Sequence, residues 1–216
     1  MLPHVISPML AQKAEAPFDS AQHFFEIKWD GIRCLAFVES GRVRLQSRQL
    51  MEITLQFPEL GCLDRLPFGT VLDGELVVLQ EGKPSLKQIQ QRVFLQNRQR
   101  IQIMSQTAPA NFMIFDLLYL KRKPLMTSPL SVRREALQTL MDQFQLPGIL
   151  VSQAIHQHGC QLFAQIVRLK MEGIMAKRLD GPYLQGKRSR QWFKIKPQFA
   201  PKKPHPITQS LVHTDQ

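Results

Sequence analysis

The chain has 216 residues, of which 44% are hydrophobic and 21% are charged, and its formal net charge is +11. This composition excludes an intrinsically disordered protein, and the length suffices for one core or for two small lobes around a cleft. No stretch approaches the roughly 20 apolar residues that a transmembrane helix needs, and the first residues lack the basic segment of a signal peptide. We therefore expect an intracellular protein with no membrane partner.

Positive charge is concentrated in the second half of the chain. Residues 1–100 contain 12 Lys and Arg against 11 Asp and Glu, a net charge of +1, whereas residues 101–216 contain 16 against 6, a net charge of +10. Such an asymmetry is typical of a surface that faces a polyanion, above all nucleic acid. A solubilising surface without a partner is the alternative. The three cysteines show no paired spacing, which argues against a zinc site or a disulfide framework.

Periodicity and turn residues predict a mixed α+β chain in which strands dominate and helices lie between them. The predicted elements are, in chain order, strands at Phe24–Lys28, Arg33–Val38, Arg42–Ser47, 71–72 and 76–79, a helix at Ser85–Phe94, a strand at Asn111–Leu120, helices at Ser131–Phe144 and Gln161–Met171, and strands at Gly173–Arg178 and Gln191–Lys196. Ser85 and Ser131 are the predicted N-caps of their helices. His156 and His158 are expected in a polar loop, and Asp116, inside an apolar strand, is expected to need a partner.

Residues 1–197 form the predicted folded domain. Residues 198–216 are rich in Pro and polar side chains, so we expect this tail to be disordered or to serve as a linker.

The most informative segment is EIKWDGIRCLAF, in which Lys28 ends an apolar strand two residues before Asp30. We expect Asp30 and Gly31 to form a tight turn that aims the lysine. An exposed lysine has a pKa of ~10.4 and is protonated, whereas a lysine held among other cations and beside a metal can lose its proton and attack phosphorus. By itself the pattern also fits any lysine that precedes an Asp-Gly hairpin turn.

Five further strings follow in order: SRQ at 47–49, LDGEL at 72–76, FDLLY at 115–119, EGIMAK at 172–177 and WFKIK at 192–196. With them, the chain resembles the nucleotidyltransferase (adenylation) domain of ATP-dependent DNA ligases, and most closely that of the bacterial end-joining ligases. The resemblance runs from Pro8 to about Pro197. It implies an ATP-grasp-like α+β core of two antiparallel sheets flanked by helices, with ATP bound between the sheets. No OB-fold domain is expected within this chain, because the Pro-rich remainder is too short to form one.

The resemblance also implies a role for each motif residue. Lys28 would form a covalent phosphoramide with AMP, and the lysines of WFKIK, which alternate onto one strand face, would assist it at the α-phosphate. The implied catalytic residues are thus Lys28, Lys194 and Lys196. The implied ATP-binding residues are Glu26 at the adenine amino group, Arg33 and Arg48 near the sugar, phosphates and nick, Phe115 stacked on the purine, and Lys28, Glu75, Lys177, Lys194 and Lys196.

Two carboxylates, Glu75 and Glu172, are the implied ligands of Mg²⁺ or Mn²⁺. Mg²⁺ prefers oxygen ligands and usually retains waters and substrate phosphates, so two acids at separate strand ends would suffice. Structural interpretations remain open for several motif residues. Asp73-Gly74-Glu75 is also a common turn, Phe115 also fits a core position, Glu26 also fits an exposed strand position, and lysines on an edge strand also prevent aggregation.

The implied reaction is self-adenylation by ATP, followed by transfer of AMP to a DNA 5′-phosphate and sealing of a nick or break by a 3′-hydroxyl. The implied partners are nicked or broken duplex DNA and either an end-joining DNA-end-binding protein or a separate OB-fold-bearing protein. The implied location is the cytoplasm, in association with the nucleoid. The alternatives are a non-catalytic or partner-dependent DNA- or nucleotide-binding remnant of a ligase, and an RNA ligase-type nucleotidyltransferase. An NAD-dependent ligase is disfavoured, because only 27 residues precede Lys28.

Overall fold

The computed structural model describes residues 2–197, and the predicted tail at 198–216 lies outside the described residues. The strands are β1 Leu10–Lys13, β2 Ser20–Ile27, β3 Ile32–Glu39, β4 Arg42–Ser47, β5 Val71–Gln80, β6 Lys83–Pro84, β7 Ala110–Leu120, β8 Lys123–Pro124, β9 Ile149–Val151, β10 Ala154–Gln157, β11 Ile174–Arg178 and β12 Arg188–Ile195. The α-helices are α1 Leu86–Val93, α2 Arg98–Thr107, α3 Leu130–Gln143 and α4 Gly159–Arg168, and short 3₁₀ segments lie at Thr54–Gln56 and Pro58–Arg65.

The strands form two sheets. The five-stranded sheet has the order β1-β12-β11-β2-β10, and the seven-stranded sheet has the order β4-β3-β5-β7-β8, with β6 beside β5 and β9 beside β7. Most pairings are antiparallel, as predicted. The pairs β1–β12 and β7–β9 are parallel. The predicted α+β architecture of two sheets with flanking helices is confirmed.

Apolar side chains on both faces of β3 explain why its sequence is a continuous apolar run instead of an alternating one. Cys34 and Ala36 pack into the core between the seven-stranded sheet and its helices. Leu35 and Phe37 point the other way, into a second core that also contains Trp192 of β12 and therefore joins the two sheets. A strand buried on both faces loses the polar alternation of a surface strand. The cleft between the sheets opens next to this second core.

The largest difference from the predicted elements is β5. Asp73-Gly74-Glu75 was predicted to interrupt two short strands, but it lies inside one continuous strand from Val71 to Gln80. A Cβ at Gly74 would lie 2.6 Å from the carbonyl oxygen of Met113 on β7. This glycine therefore permits close approach of neighbouring strands and does not form a turn.

Smaller differences concern element ends and short elements. The predicted cap at Ser131 is wrong, because α3 begins at Leu130 after Pro129, which provides no side-chain cap. Ser85 does precede α1, but its hydroxyl makes no capping hydrogen bond. His156 lies in strand β10 and not in a loop, while His158 directly precedes α4. Helix α2 was not predicted. Among residues 2–197, no helix is both long and apolar enough to cross a membrane.

Candidate active site

All ten sequence-predicted site residues line a single cavity of about 460 Å³. They come from both sheets, from the segments that follow β2, β4 and β12, and from the segment that precedes β11. The predicted residues on its wall are Glu26, Lys28, Arg33, Arg48, Glu75, Phe115, Glu172, Lys177, Lys194 and Lys196. Residues this far apart in sequence converge only because the two sheets face each other across the cleft.

The amine of Lys28 lies at one end of a short chain of charges. Its Nζ donates to Oε2 of Glu172 at 2.6 Å, and the other carboxylate oxygen of Glu172 accepts from Lys196 Nζ, also at 2.6 Å. The backbone N–H of Lys28 donates to the carbonyl oxygen of Gly173 at 2.9 Å. Burial opposes ionisation of Glu172, but the charges of Lys28 and Lys196 outweigh it and hold the pKa of this carboxyl below its usual value.

Gly31 fixes the path of the chain after Lys28, although not in the way predicted. We expected this glycine to form a tight Asp-Gly turn, but its backbone does not adopt the positive φ that would require glycine in such a turn. A Cβ at this position would lie 2.1 Å from the carbonyl oxygen of Leu76 and 2.8 Å from Val77 Cγ1. The segment after the lysine is therefore pressed against β5, and only glycine fits there.

The side of the cavity formed by β12 is strongly cationic. Lys194 is half-buried, and its pKa is lowered first by burial and then by the neighbouring charges of Arg188, Lys196, Lys28 and Arg48. Arg188 also lines the cavity and was not predicted. Extending the two-residue alternation of Trp192, Lys194 and Lys196 back along the same strand would have found it. Four or more cations around one cleft form a favourable environment for phosphate.

The opposite end of the cavity contains a buried carboxylate. Glu26 is 1% exposed, so the interpretation as an exposed strand residue is wrong. Lys177 Nζ lies 3.2 Å from each of its two oxygens, and Arg134 lies 3.8 Å from Oε1. Among residues 2–197, no group donates a hydrogen bond to Oε1. Burial lowers the pKa of Lys177, and the charge of Glu26 opposes that shift.

Phe115 and Trp192 form an aromatic wall beside this carboxylate. Their rings meet edge to face with centroids 6.1 Å apart. Lys177 Nζ lies 3.9 Å from the centroid of the Phe115 ring, and the Arg33 guanidinium carbon lies 4.6 Å from it. At 8% exposure, Phe115 is both a core residue and a residue of the cavity wall.

Arg33 is held in place by a buried ion pair. Its Nε and Nη2 donate to the two carboxylate oxygens of Asp73 at 2.5 and 2.6 Å. Although burial opposes its charge, Asp73 holds the pKa of Arg33 above the usual value. Tyr183 donates its hydroxyl to Asp73 at 2.7 Å and accepts from the backbone N–H of Met9 at 3.0 Å. These hydrogen bonds thus fix the position of Arg33 against the aromatic wall that it contacts.

Glu75 and Glu172 were predicted as metal ligands at separate strand ends. Glu172 does precede β11, but Glu75 lies in the middle of β5. Burial raises the pKa of Glu75 to about 7, partly offset by Arg33 and Lys28 and reinforced by Glu172 and Asp73. A cation would relieve this unfavourable burial of a carboxylate, which is consistent with a magnesium ligand. Within residues 2–197, however, no three His, Cys, Asp or Glu side chains cluster closely enough to hold a metal alone.

Asp116, next to Phe115 in sequence, has a structural partner. Arg133 donates Nε and Nη2 to its two oxygens at 2.7 and 2.8 Å, and both side chains are fully buried. The pair attaches α3 to β7. This arrangement satisfies the predicted need of Asp116 for a partner and leaves the carboxylate outside the cavity wall.

Comparisons with known proteins agree with this geometry. Residues 8–196 match the sequence model of the ATP dependent DNA ligase domain. The chain is 31% identical over 191 residues to the SPbeta prophage-derived DNA ligase-like protein LigB of Bacillus subtilis, covering 88% of this chain and 67% of that protein. It is 36% identical over 190 residues to DNA ligase C1 of Mycolicibacterium smegmatis, covering 85% of this chain and 54% of the relative.

Solved structures give the same picture. Mycobacterial DNA ligase D complexed with ATP and MES superposes with a TM-score of 0.74 and 34% identity, covering 88% of this chain and 60% of that chain. Bacteriophage T7 ligase in complex with ATP, at 19% identity and a TM-score of 0.66, shares the fold. The chain thus spans between about half and two thirds of the length of these proteins.

Proposed function

Because this chain belongs to the family of ATP-dependent DNA ligase domains, we propose that it binds ATP in the cleft between its sheets and transfers AMP to Lys28. The observation that carries the proposal is the convergence of all six sequence motifs on one cavity, with the Lys28 amine inside it. Transfer of that AMP to a DNA 5′-phosphate, for nick or break sealing, is the proposed second step. An end-joining role and a DNA-end-binding partner are proposed from the resemblance to bacterial end-joining ligases alone.

In the proposed first step, Lys28 Nζ attacks the α-phosphorus of ATP. A bond forms between nitrogen and phosphorus, the bond from phosphorus to the bridging oxygen breaks, and pyrophosphate leaves. The ammonium must lose one proton to become the nucleophile, and Glu172 Oε2 at 2.6 Å is the acceptor at hand; the nitrogen loses a second proton to solvent as the phosphoramide forms. Lys196 on the other oxygen of Glu172 keeps that carboxylate ionised and able to accept a proton, although it also makes the carboxylate a weaker base. The family role of the lysine agrees with this position.

The rest of the cavity divides into a phosphate end and a base end. Lys194, Lys196 and Arg48 would neutralise the α-phosphate and the leaving pyrophosphate, since charge neutralisation by positioned cations is the main catalytic device of phosphoryl transfer. Phe115 would stack on the purine, and Glu26 would accept a hydrogen bond from its exocyclic amine. Arg33, held by Asp73, would border the nucleotide between these ends, and Lys177, held by Glu26, would border it at the base end.

Glu75, together with Glu172 once a lysine releases one of its oxygens, would hold Mg²⁺ or Mn²⁺. The ion would supply charge neutralisation at the phosphates. Glu75 must lose its proton to bind the ion, so its elevated pKa makes ion binding compete with protonation near neutral pH.

The proposal is tested by incubating the full chain with α-labelled ATP and Mg²⁺ and detecting label that survives denaturation. Lys28→Ala should abolish the labelled band. Lys123→Ala, which removes an exposed lysine on β8 away from the cavity, should leave it unchanged. A labelled band that persists in Lys28→Ala would refute lysyl adenylation at this site, and absence of label in the unmodified protein would favour a nucleotide- or DNA-binding role.

A further inference from the structure

Arg134 of α3, which neither the motifs nor the proposed mechanism uses, contacts Glu26 and the backbone of Phe115 at the base end of the cavity. Its Nη2 donates to the backbone oxygen of Ser152 at 2.6 Å, and its Nη1 donates to the backbone oxygen of Phe115 at 3.3 Å. The same Nη1 lies 3.8 Å from Oε1 of Glu26. Ser152 in turn accepts, through its hydroxyl, a hydrogen bond from the Trp29 indole at 3.0 Å.

Lys177 fixes only one oxygen of the Glu26 carboxylate. Its Nζ donates a hydrogen bond to Oε2 at 3.2 Å, and although it lies equally near Oε1, it makes no hydrogen bond to that oxygen. Arg134 approaches only Oε1, and two backbone oxygens fix the plane of its guanidinium. A rigid guanidinium with two bonds to backbone is a more precise support than a flexible ammonium. The orientation of Glu26 therefore depends on Arg134.

The orientation matters because Oε1 of Glu26 is a buried acceptor that receives no hydrogen bond from any other residue in 2–197. A buried acceptor of this kind is unfavourable unless a ligand supplies the donor. Adenine carries an amino donor at C6, whereas hypoxanthine and guanine carry a carbonyl oxygen there. A carboxylate fixed in this position accepts a hydrogen bond from the amino group of adenine and repels the carbonyl oxygen of hypoxanthine or guanine.

We propose that Arg134 is a positioning residue that fixes Glu26 to read the C6 substituent of the purine, and thereby sets the preference of this cavity for ATP over nucleotides with a C6 carbonyl. The inference rests on the proposed function, since it assumes that the base enters the cavity beside Glu26 and Phe115. It adds a determinant of selectivity that lies on a helix outside the ligase motifs.

The test measures the dissociation constants of ATP and inosine triphosphate, which differ at C6, by quenching of tryptophan fluorescence. Both tryptophans of the chain, Trp29 and Trp192, line the cavity. We expect the unmodified protein to favour ATP by about tenfold or more. Arg134→Met should reduce this ratio about tenfold, because a small misplacement of a positioned group has effects of this order or larger. Arg98→Met, the same change at an exposed position on α2, should leave the ratio unchanged.

Glu26→Gln provides the comparison that separates selectivity from general damage. A glutamine can accept or donate, so this variant should lose the ATP preference directly, and adding Arg134→Met to it should change the ratio no further. Equal weakening of both nucleotides in Arg134→Met, with an unchanged ratio, would overturn the inference and leave Arg134 a structural residue. If Arg134→Met is not recovered folded, Arg134→Lys, which keeps the charge but cannot reach both backbone oxygens, should still lower the ratio.

Because binding is measured without chemistry, the two proposals fail separately. Absence of covalent label together with an Arg134-dependent ATP preference would refute lysyl adenylation and sustain the inference. Normal labelling together with an ATP preference that Arg134→Met does not change would sustain lysyl adenylation and overturn the inference. Absence of any ATP preference in the unmodified protein would also overturn the inference.

Discussion

Replacing Tyr183 by Phe should destabilise the protein although it removes a single oxygen atom. The Tyr183 hydroxyl donates to Asp73 at 2.7 Å and accepts from the Met9 backbone N–H at 3.0 Å, in a residue that is 4% exposed. A hydrogen bond to a charged group contributes about 1.5–3 kcal/mol and a neutral one about 1 kcal/mol. Arg33 still satisfies Asp73 in the variant, so we take the lower end and expect a loss of about 2–3 kcal/mol.

The loss is measurable by urea or thermal unfolding. For a chain of this size, about 1 kcal/mol shifts the melting temperature by roughly 2–4 °C, so Tyr183→Phe should melt roughly 4–12 °C lower. The matched control is Tyr119→Phe, since Tyr119 is the other tyrosine of the chain and lies at the partly exposed end of β7. It should change stability by less than about 0.5 kcal/mol. Equal effects of the two substitutions would refute the stabilising role assigned to the two hydrogen bonds of the Tyr183 hydroxyl.

The pH dependence of stability provides a second test of the buried environment of the Tyr183 hydroxyl. Burial, reinforced by the charge of Asp73, raises its pKa well above the ordinary value of 10.0. Above pH 10 the unfolded chain can ionise this tyrosine while the folded protein cannot, so the unfolded state binds fewer protons and stability falls as pH rises. Tyr183→Phe removes this contribution. The stability gap between the two proteins should therefore narrow above pH 10.

Three further predictions concern other positions. Glu172→Gln should lower the rate of lysyl adenylation about a hundredfold in single-turnover labelling, because it removes the carboxylate that orients the nucleophile and takes its proton; an unchanged rate would exclude that role. Gly31→Ala should cost about 3 kcal/mol or more in urea unfolding, since its Cβ would meet the oxygen of Leu76 at 2.1 Å, whereas Gly61→Ala, with open space, should be nearly neutral. Burial and a nearby arginine lower the pKa of His23 below 6.5, so stability should decline as pH falls through 6.5, and His23→Phe should flatten that decline in unfolding curves between about pH 5 and 7.

The sequence was sufficient to select residues that the structure brings together on one cavity wall, because each motif residue is tied to a local pattern. Lys194 and Lys196 share a face by the two-residue period of a strand, and the structure has both on the cavity wall. What sequence could not give was the partner of each charge. Nothing near Asp73 in sequence indicates that Tyr183 and Arg33 will meet it, or that Arg134 will reach Glu26 from α3. Such contacts are decided by how the two sheets and their helices pack.

The glycines show the same limit in the fold. Both Gly31 and Gly74 follow an aspartate, and an Asp-Gly pair ordinarily indicates a turn. Here each serves instead to let a neighbouring strand approach within contact distance, and the neighbour, Leu76 for one and Met113 for the other, is known only once the sheet order is known. Helix α2 was missed because its sequence, RQRIQIMSQT, has few apolar residues and little amphipathic periodicity.

The parallel pairing of β1 with β12 has a consequence for how the protein is made. Leu10 lies opposite Arg188, so β1 cannot pair with this neighbour until nearly the whole domain has left the ribosome. Contacts this distant in sequence slow folding and leave early segments exposed meanwhile. A nascent chain ending before β12 would contain Lys28 but neither Lys194 nor Lys196. Adenylation of Lys28 should therefore begin abruptly once β12 has left the ribosome, and should not increase gradually as the chain lengthens.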